Sequence, residues 1–146
     1  MPRPIEPSLR GNVQYQRLQA SIKLFGAMLL VFFTVAFTAA VLRLPLPRVL
    51  ELLTRWGPGG AEQYEEMISI IYIVWGYFLL RAADSPFDHE LFLDFSLHAN
   101  VAHFSLMTAM AVLNKGDRIH LLGDVVSAWI IFCPFVYFWK ITRRPE

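Results

Sequence analysis

One uninterrupted run, Ile22–Leu42 (IKLFGAMLLVFFTVAFTAAVL), limits the possible folds more than anything else in the chain. It is 21 residues long, with Lys23 at its edge and only Thr34 and Thr38 as polar side chains within it. About 20 helical residues cross the hydrocarbon core of a bilayer, so a helix here spans a membrane. A secretory signal also follows basic residues. Its apolar core is only about 7–15 residues long, which favours an uncleaved helix here.

The remainder of the chain suits the same solvent. Hydrophobic residues make up 55% and charged residues 17%, where a soluble domain carries about 25% charged. The length, 146 residues, fits one domain. Leu121–Trp139 is a second clear span, interrupted only by Asp124. Met67–Leu80 has a short apolar centre and crosses only if its helix continues back through EQYEE and forward into Arg81. Leu91–Leu113 is long enough but strongly polar. The predicted fold is therefore all-α: a single four-transmembrane-helix bundle with spans near 22–42, 64–82, 91–113 and 121–139.

An even number of spans puts the N and C termini on the same side. That side holds eight basic residues (Arg3, Arg10, Arg17, Lys23, Arg81, Lys140, Arg143 and Arg144) against five on the other. The excess predicts cytoplasmic termini in a plasma membrane. Between spans one and two, LPLPRVLELLTRWGPGG reads as a short interfacial helix. Pro47 opens it, Gly57-Pro58-Gly59-Gly60 ends it, and Val49, Leu52, Leu53 and Trp56 share one face. Asn114–His120 is a tight connection, so spans three and four are predicted to be antiparallel neighbours. A net charge of +1, with scattered basic residues, gives no case for nucleic acid. The lone Cys133, in an apolar run, reads as a small buried hydrophobe and rules out an intrachain disulfide.

DFSLHANVAHFSLM places Asp94, Ser96, His98, Asn100, His103 and Ser105 inside the third span. At about 100° per residue, Asp94, His98 and Ser105 fall on one face and Ser96, Asn100 and His103 on the opposite one. Both faces are expected to meet protein, which makes this helix the best-buried member of the bundle. Asp94 and His98, one turn apart, are expected to pair. Ser96, Asn100 and Ser105 read foremost as interhelical hydrogen-bonding groups. His103 is deeper and expected to be neutral, since low-polarity surroundings disfavour the cation.

A second constellation lies at the opposite end. Glu66 starts span two, and His120 and Asp124 sit one turn apart at the start of span four, with His103 below them. Such a set suits a proton relay, general acid–base work or a divalent metal, though helix capping explains the carboxylates equally well. A b-type haem is disfavoured: His103 lies about 15 Å below the helix end while His120 sits at the top of its neighbour, and His98 diverges from His103 on one helix. The chain has no GxSxG, HExxH, phosphate loop or cysteine pair, and no metal ligand set is assigned.

The stretches EQYEEMISIIYIVWGYFLLRAADSPFDHELFLDF, VAHFSLMTAMAVL and HLLGDV, within residues 62–126, resemble a family of small uncharacterised bacterial four-helix membrane proteins, broadly similar to the DoxX-like proteins. The resemblance implies a four-helix fold in a bacterial inner membrane. It puts the emphasis on Glu66, His103, His120, Gly123 and Asp124. It departs at His98 and Asn100, where small or aromatic residues are usual, and brings no activity. Three functions compete. The first is a non-enzymatic accessory or binding subunit, docked to other membrane subunits or to copies of itself. The second is an intramembrane acid–base site for a lipophilic molecule such as a quinone. The third is proton or ion conduction by an oligomer.

Overall fold

The structure is a computed structural model that describes residues 12–45, 47 and 62–142. The interfacial helix predicted from Pro47 to Trp56 lies, apart from Pro47 itself, outside them. Among the described residues there are four α-helices, two 3-10 segments and no strand.

Helix α1 runs Val13–Val41. Asn12 caps its start by accepting the Gln14 N–H through Oδ1 at 2.9 Å. NVQYQRLQA is thus a helical lead-in, and the apolar run forms the outer two thirds of one long helix. At the far end the Leu44 N–H reaches Ala39 O and the Arg43 N–H reaches Ala40 O. That is the pairing of a Schellman stop. Arg43 occupies its left-handed position, with φ 51°, where glycine is the usual residue.

Helix α2, Glu62–Ala82, does continue through EQYEE and Arg81. Its 21 residues extend about 31 Å. Ser85 and Pro86 end the connection and open a 3-10 turn, Pro86–His89, that leads directly into α3, Glu90–Leu113. The expected start of the fourth helix at Leu121 is corrected. Lys115–Leu122 is a 3-10 segment, Gly123 breaks the path, and α4 runs Asp124–Thr142. The Gly123 N–H bonds to His120 O, three residues back, so the tighter coil persists up to the glycine.

α1 packs closely on α2 and α4. Its approach to α2 is set by two glycines. A Cβ on Gly76 would lie 2.7 Å from Gly26 O, and one on Gly26 would lie 2.9 Å from Leu79 Cβ. Backbones meet there because neither residue has a side chain. By contrast α3 joins α2 and α4 mainly through long side chains. Phe25 of α1 reaches across the bundle to Phe104 of α3 (6.4 Å between ring centroids) and to Phe132 of α4 (4.9 Å). These rings are the centre of the core.

One end of the bundle gathers the start of α1, the 84–87 connection and the end of α4. Lys23 pairs with Asp84 at 2.9 Å, Tyr15 lies against Phe87, and Phe87 lies against Trp139. Residues 12 and 142 therefore share an end, as an even number of antiparallel helices requires. By length and composition, α1 and α4 are each sufficient to cross a membrane.

Candidate functional site

The polar residues of α3 receive indoles. Trp75 Nε1 of α2 donates to Ser96 Oγ at 2.8 Å, Trp129 Nε1 of α4 to Thr108 Oγ1 at 3.1 Å, and Trp139 Nε1 to Asp94 Oδ1 at 2.8 Å. A buried indole needs an acceptor, and each of the three described tryptophans finds one on this helix. Thr108 passes the chain on by donating to Phe104 O at 2.7 Å.

Between α2 and α3 these contacts border a polar seam. Tyr72 and Trp75 face it from α2, and Ser96 and His103, with Asn100 on the same face, from α3. The half-buried His103 ring lies 5.7 Å from Tyr72 and 5.7 Å from Phe104. Asn100 is fully buried. Its Nδ2 donates to Ser96 O at 2.8 Å, while its Oδ1 accepts from no described group. Ser69, also fully buried, has an unpartnered Oγ. Among the described residues no hydrogen bond reaches the His103 ring.

The expected pairing of the Asp94 and His98 side chains is corrected. His98 Nδ1 lies 2.8 Å from the backbone oxygen of Asp94, and the carboxylate takes the Trp139 indole instead. The two-faced reading of α3 holds on one side only. Ser96 and His103 meet α2, Asn100 is buried on the same face, and Asp94 meets α4, but His98 and Ser105 are exposed. The imidazole is drawn along its own helix by the carbonyl one turn back, and among the described residues no neighbouring helix covers that flank. Cys133, expected to be buried, is exposed as well.

At the other end the expected cluster divides. Glu66 Oε1 lies 3.5 Å from an Arg43 guanidinium nitrogen. The left-handed turn that ends α1 sets Arg43 beside the start of α2. His120, buried on the 3-10 segment, lies with Nδ1 3.1 Å from Asp124 Oδ1, across the Gly123 break. Such a pair orients an imidazole as in acid–base sites. It also puts a carboxylate in the first turn of α4, where the helix dipole favours it. Among the described residues, neither Glu66 nor His103 bonds to this pair. No three His, Cys, Asp or Glu side chains there converge as metal ligands.

With this geometry in place, the deciding comparison is with protein families. A family model described as a family of unknown function, DUF6632, matches residues 12–137. The chain belongs to that family. The DUF6632 match begins at the Asn12 cap and ends inside α4, so it takes in at least part of each described α-helix and is wider than the 62–126 stretch of the sequence resemblance. The family description assigns no activity and mentions no DoxX-like relationship. No curated protein and no solved structure matches the chain.

Of the residues singled out by sequence, Ser96 and His103 come together with α2, and His120 comes together with Asp124. Ser69 and Tyr72 were not anticipated. Ser69 is the one aliphatic hydroxyl amid MISIIYIVW, and its isolation there was the available signal.

Proposed function

We propose that this DUF6632 member is a four-span membrane protein acting as an accessory or binding subunit, with cytoplasmic termini and a partner helix seated on α3. Membrane insertion of all four helices is supported by what they turn outward. α1 exposes Val31 and Val35, α2 exposes Ile70, Ile71 and Phe78, α3 exposes Leu91 and Leu106, and α4 exposes Val126 and Ile130. A water-soluble bundle rarely carries apolar surface on this scale. Only 28% of the most apolar window of α1, and 22% of that of α4, is buried inside the molecule, unlike the core helix of a soluble protein. Hydroxyls on outward faces are also satisfied internally: Thr34 donates to Leu30 O, Thr38 to Thr34 O and Ser127 to Gly123 O. This is how a helix carries such groups without water. The basic excess at the termini's end favours the cytoplasmic assignment.

The subunit role is carried by one observation, the outward face of α3. His98, Ala102, Ser105 and Ala109 are exposed there at helical spacing. Small residues let helix backbones approach in a membrane, whereas an imidazole among acyl chains is costly. The Asp94 carbonyl can only accept, so His98 Nδ1 donates to it. In the neutral ring Nε2 is then a bare acceptor facing out. A neighbouring helix that brings an O–H or N–H would satisfy it.

Cysteine cross-linking tests this reading. On a Cys133→Ser background, Ala102→Cys and Ala109→Cys should cross-link in native membranes, and Ile71→Cys, on the outward face of α2, should not. Protein mass in mild detergent should exceed the 16.8 kDa of one chain. A particle of one chain's mass, with α3 cysteines no more reactive than that of α2, would end the subunit reading.

A further inference from the structure

The seam between α2 and α3 holds two features that the subunit reading leaves unused. The first is a buried polar atom without a partner. Asn100 Oδ1 is sealed in the interior with no described donor. A buried carbonyl-type oxygen left unpaired costs about 1–3 kcal/mol. The amide cannot rotate to escape this, because its Nδ2 is committed to Ser96 O, an acceptor. What Asn100 lacks is therefore a donor. His103, one turn further along the same face, brings an imidazole that no described group bonds.

The second feature is a ladder of flat rings beside these groups. Phe33 and Tyr72 stack at 4.4 Å with planes 10° apart, Tyr72 and Trp75 at 5.5 Å and 10°, and Trp75 and Phe95 at 5.2 Å and 18°. The ladder runs from α1 over α2 to α3. Its last ring, Phe95, is exposed, and Trp75 and His103 are half-buried. The ladder thus reaches from the bundle interior to the surface assigned to lipid. Between α2 and α3 the joint is made by side chains and not by close backbone packing.

We propose that this seam binds a lipophilic phenol, whose O–H donates to Asn100 Oδ1, whose oxygen accepts from His103, and whose ring joins the aromatic stack. The requirement for a donor selects the chemistry. A ketone, a quinone or an aryl ether of the same shape offers only acceptors and leaves Asn100 unpaired. Parallel rings at stacking distance favour a flat aromatic over an aliphatic alcohol. The proposal goes beyond the subunit reading and requires no partner helix on α3.

Equilibrium binding to the full chain in nanodiscs, with empty nanodiscs subtracted, tests the assignment. The probe is radiolabelled 4-nonylphenol, competed by unlabelled 4-nonylphenol or by its methyl ether, 4-nonylanisole. Saturable binding near one per chain is expected, with the ether competing about tenfold or more weakly, the loss of one hydrogen bond. Asn100→Leu removes the orphan oxygen, so it should weaken phenol binding about tenfold or more and erase the preference over the ether, without lowering the thermal midpoint. Three results would each overturn the proposal: no saturable binding above empty discs, equal competition by the ether, or full binding by Asn100→Leu. An ordered water filling the seam at Asn100 would surface as the first of these. If Asn100→Leu does not fold, the comparison of phenol with ether on the unaltered chain still decides. Cross-linking through α3 reports the subunit reading separately, because it is scored without the probe.

Discussion

Asp94 shows how the bundle handles a carboxylate within a predicted span. Its Oδ1 accepts the Trp139 indole at 2.8 Å, and the indole itself is buried against Phe87. Hydrogen bonds to charged groups contribute about 1.5–3 kcal/mol, so Trp139→Phe should destabilise by roughly that amount while keeping most ring packing. Asp94→Asn, which retains an acceptor oxygen, should lose less. Both are measurable by thermal unfolding in detergent; equal losses would mean that charge, and not the indole bond, matters at this position. Arg43 tests the backbone. A residue other than glycine in the left-handed region costs about 1–2 kcal/mol. Arg43→Val and Arg43→Gly both delete the contact with Glu66, so the valine variant should be less stable by about 1–2 kcal/mol. Identical stabilities would contradict the Schellman geometry. At this scale the sequence was partly legible. It singled out Asp94, Asn100 and His103 because polar groups are conspicuous in an apolar run. It could not reveal that Asp94 would take an indole from α4 and not His98 from its own turn, because that choice depends on which helix lies alongside.

Among elements, the tightest joint is α1 on α2 at Gly26 and Gly76. A methyl on Gly76 would meet backbone on the facing helix, at 2.7 Å from Gly26 O and 2.8 Å from Leu30 N. Backbone atoms cannot swing aside, so Gly76→Ala must push the helices apart. Overpacking costs about 1–3 kcal/mol. Gly116→Ala meets nothing within 4 Å and should be nearly silent. If the two variants unfold at the same temperature, α1 and α2 do not cross as described. Neither glycine stood out beforehand, because each is isolated in its own helix and gains meaning only when the two are set face to face. Helix identity was more readable. Four periodic or apolar segments became four helices, and α2 did extend through its charged flank. The start of α4 was missed by three residues, since HLLGD has helical composition but Gly123 ends a 3-10 run before the α-helix begins.

The described helices pack around an aromatic interior, and each turns large apolar side chains outward, α3 with His98 and Ser105 among them. That inversion of the usual soluble pattern is what the composition anticipated. The described residues do not join Glu66, His103, His120 and Asp124 into one centre. Arg43 takes the first, the Gly123 break isolates the last two, and His103 lies with Tyr72 on the α2 seam. Sequence spacing located their depths along the helices but not their bearings around them, and convergence depends on both. The central claim is that all four helices cross the bilayer, including α2 and α3, and it has a direct test. Single cysteines at Gln14, Asp88 and Gly116, on a Cys133→Ser background, are treated in intact cells with a membrane-impermeant maleimide. Four spans predict labelling of residue 116 from outside and of residues 14 and 88 only after lysis. If only α1 and α4 cross, residues 88 and 116 lie on the same side and label alike, and that result would contradict the account.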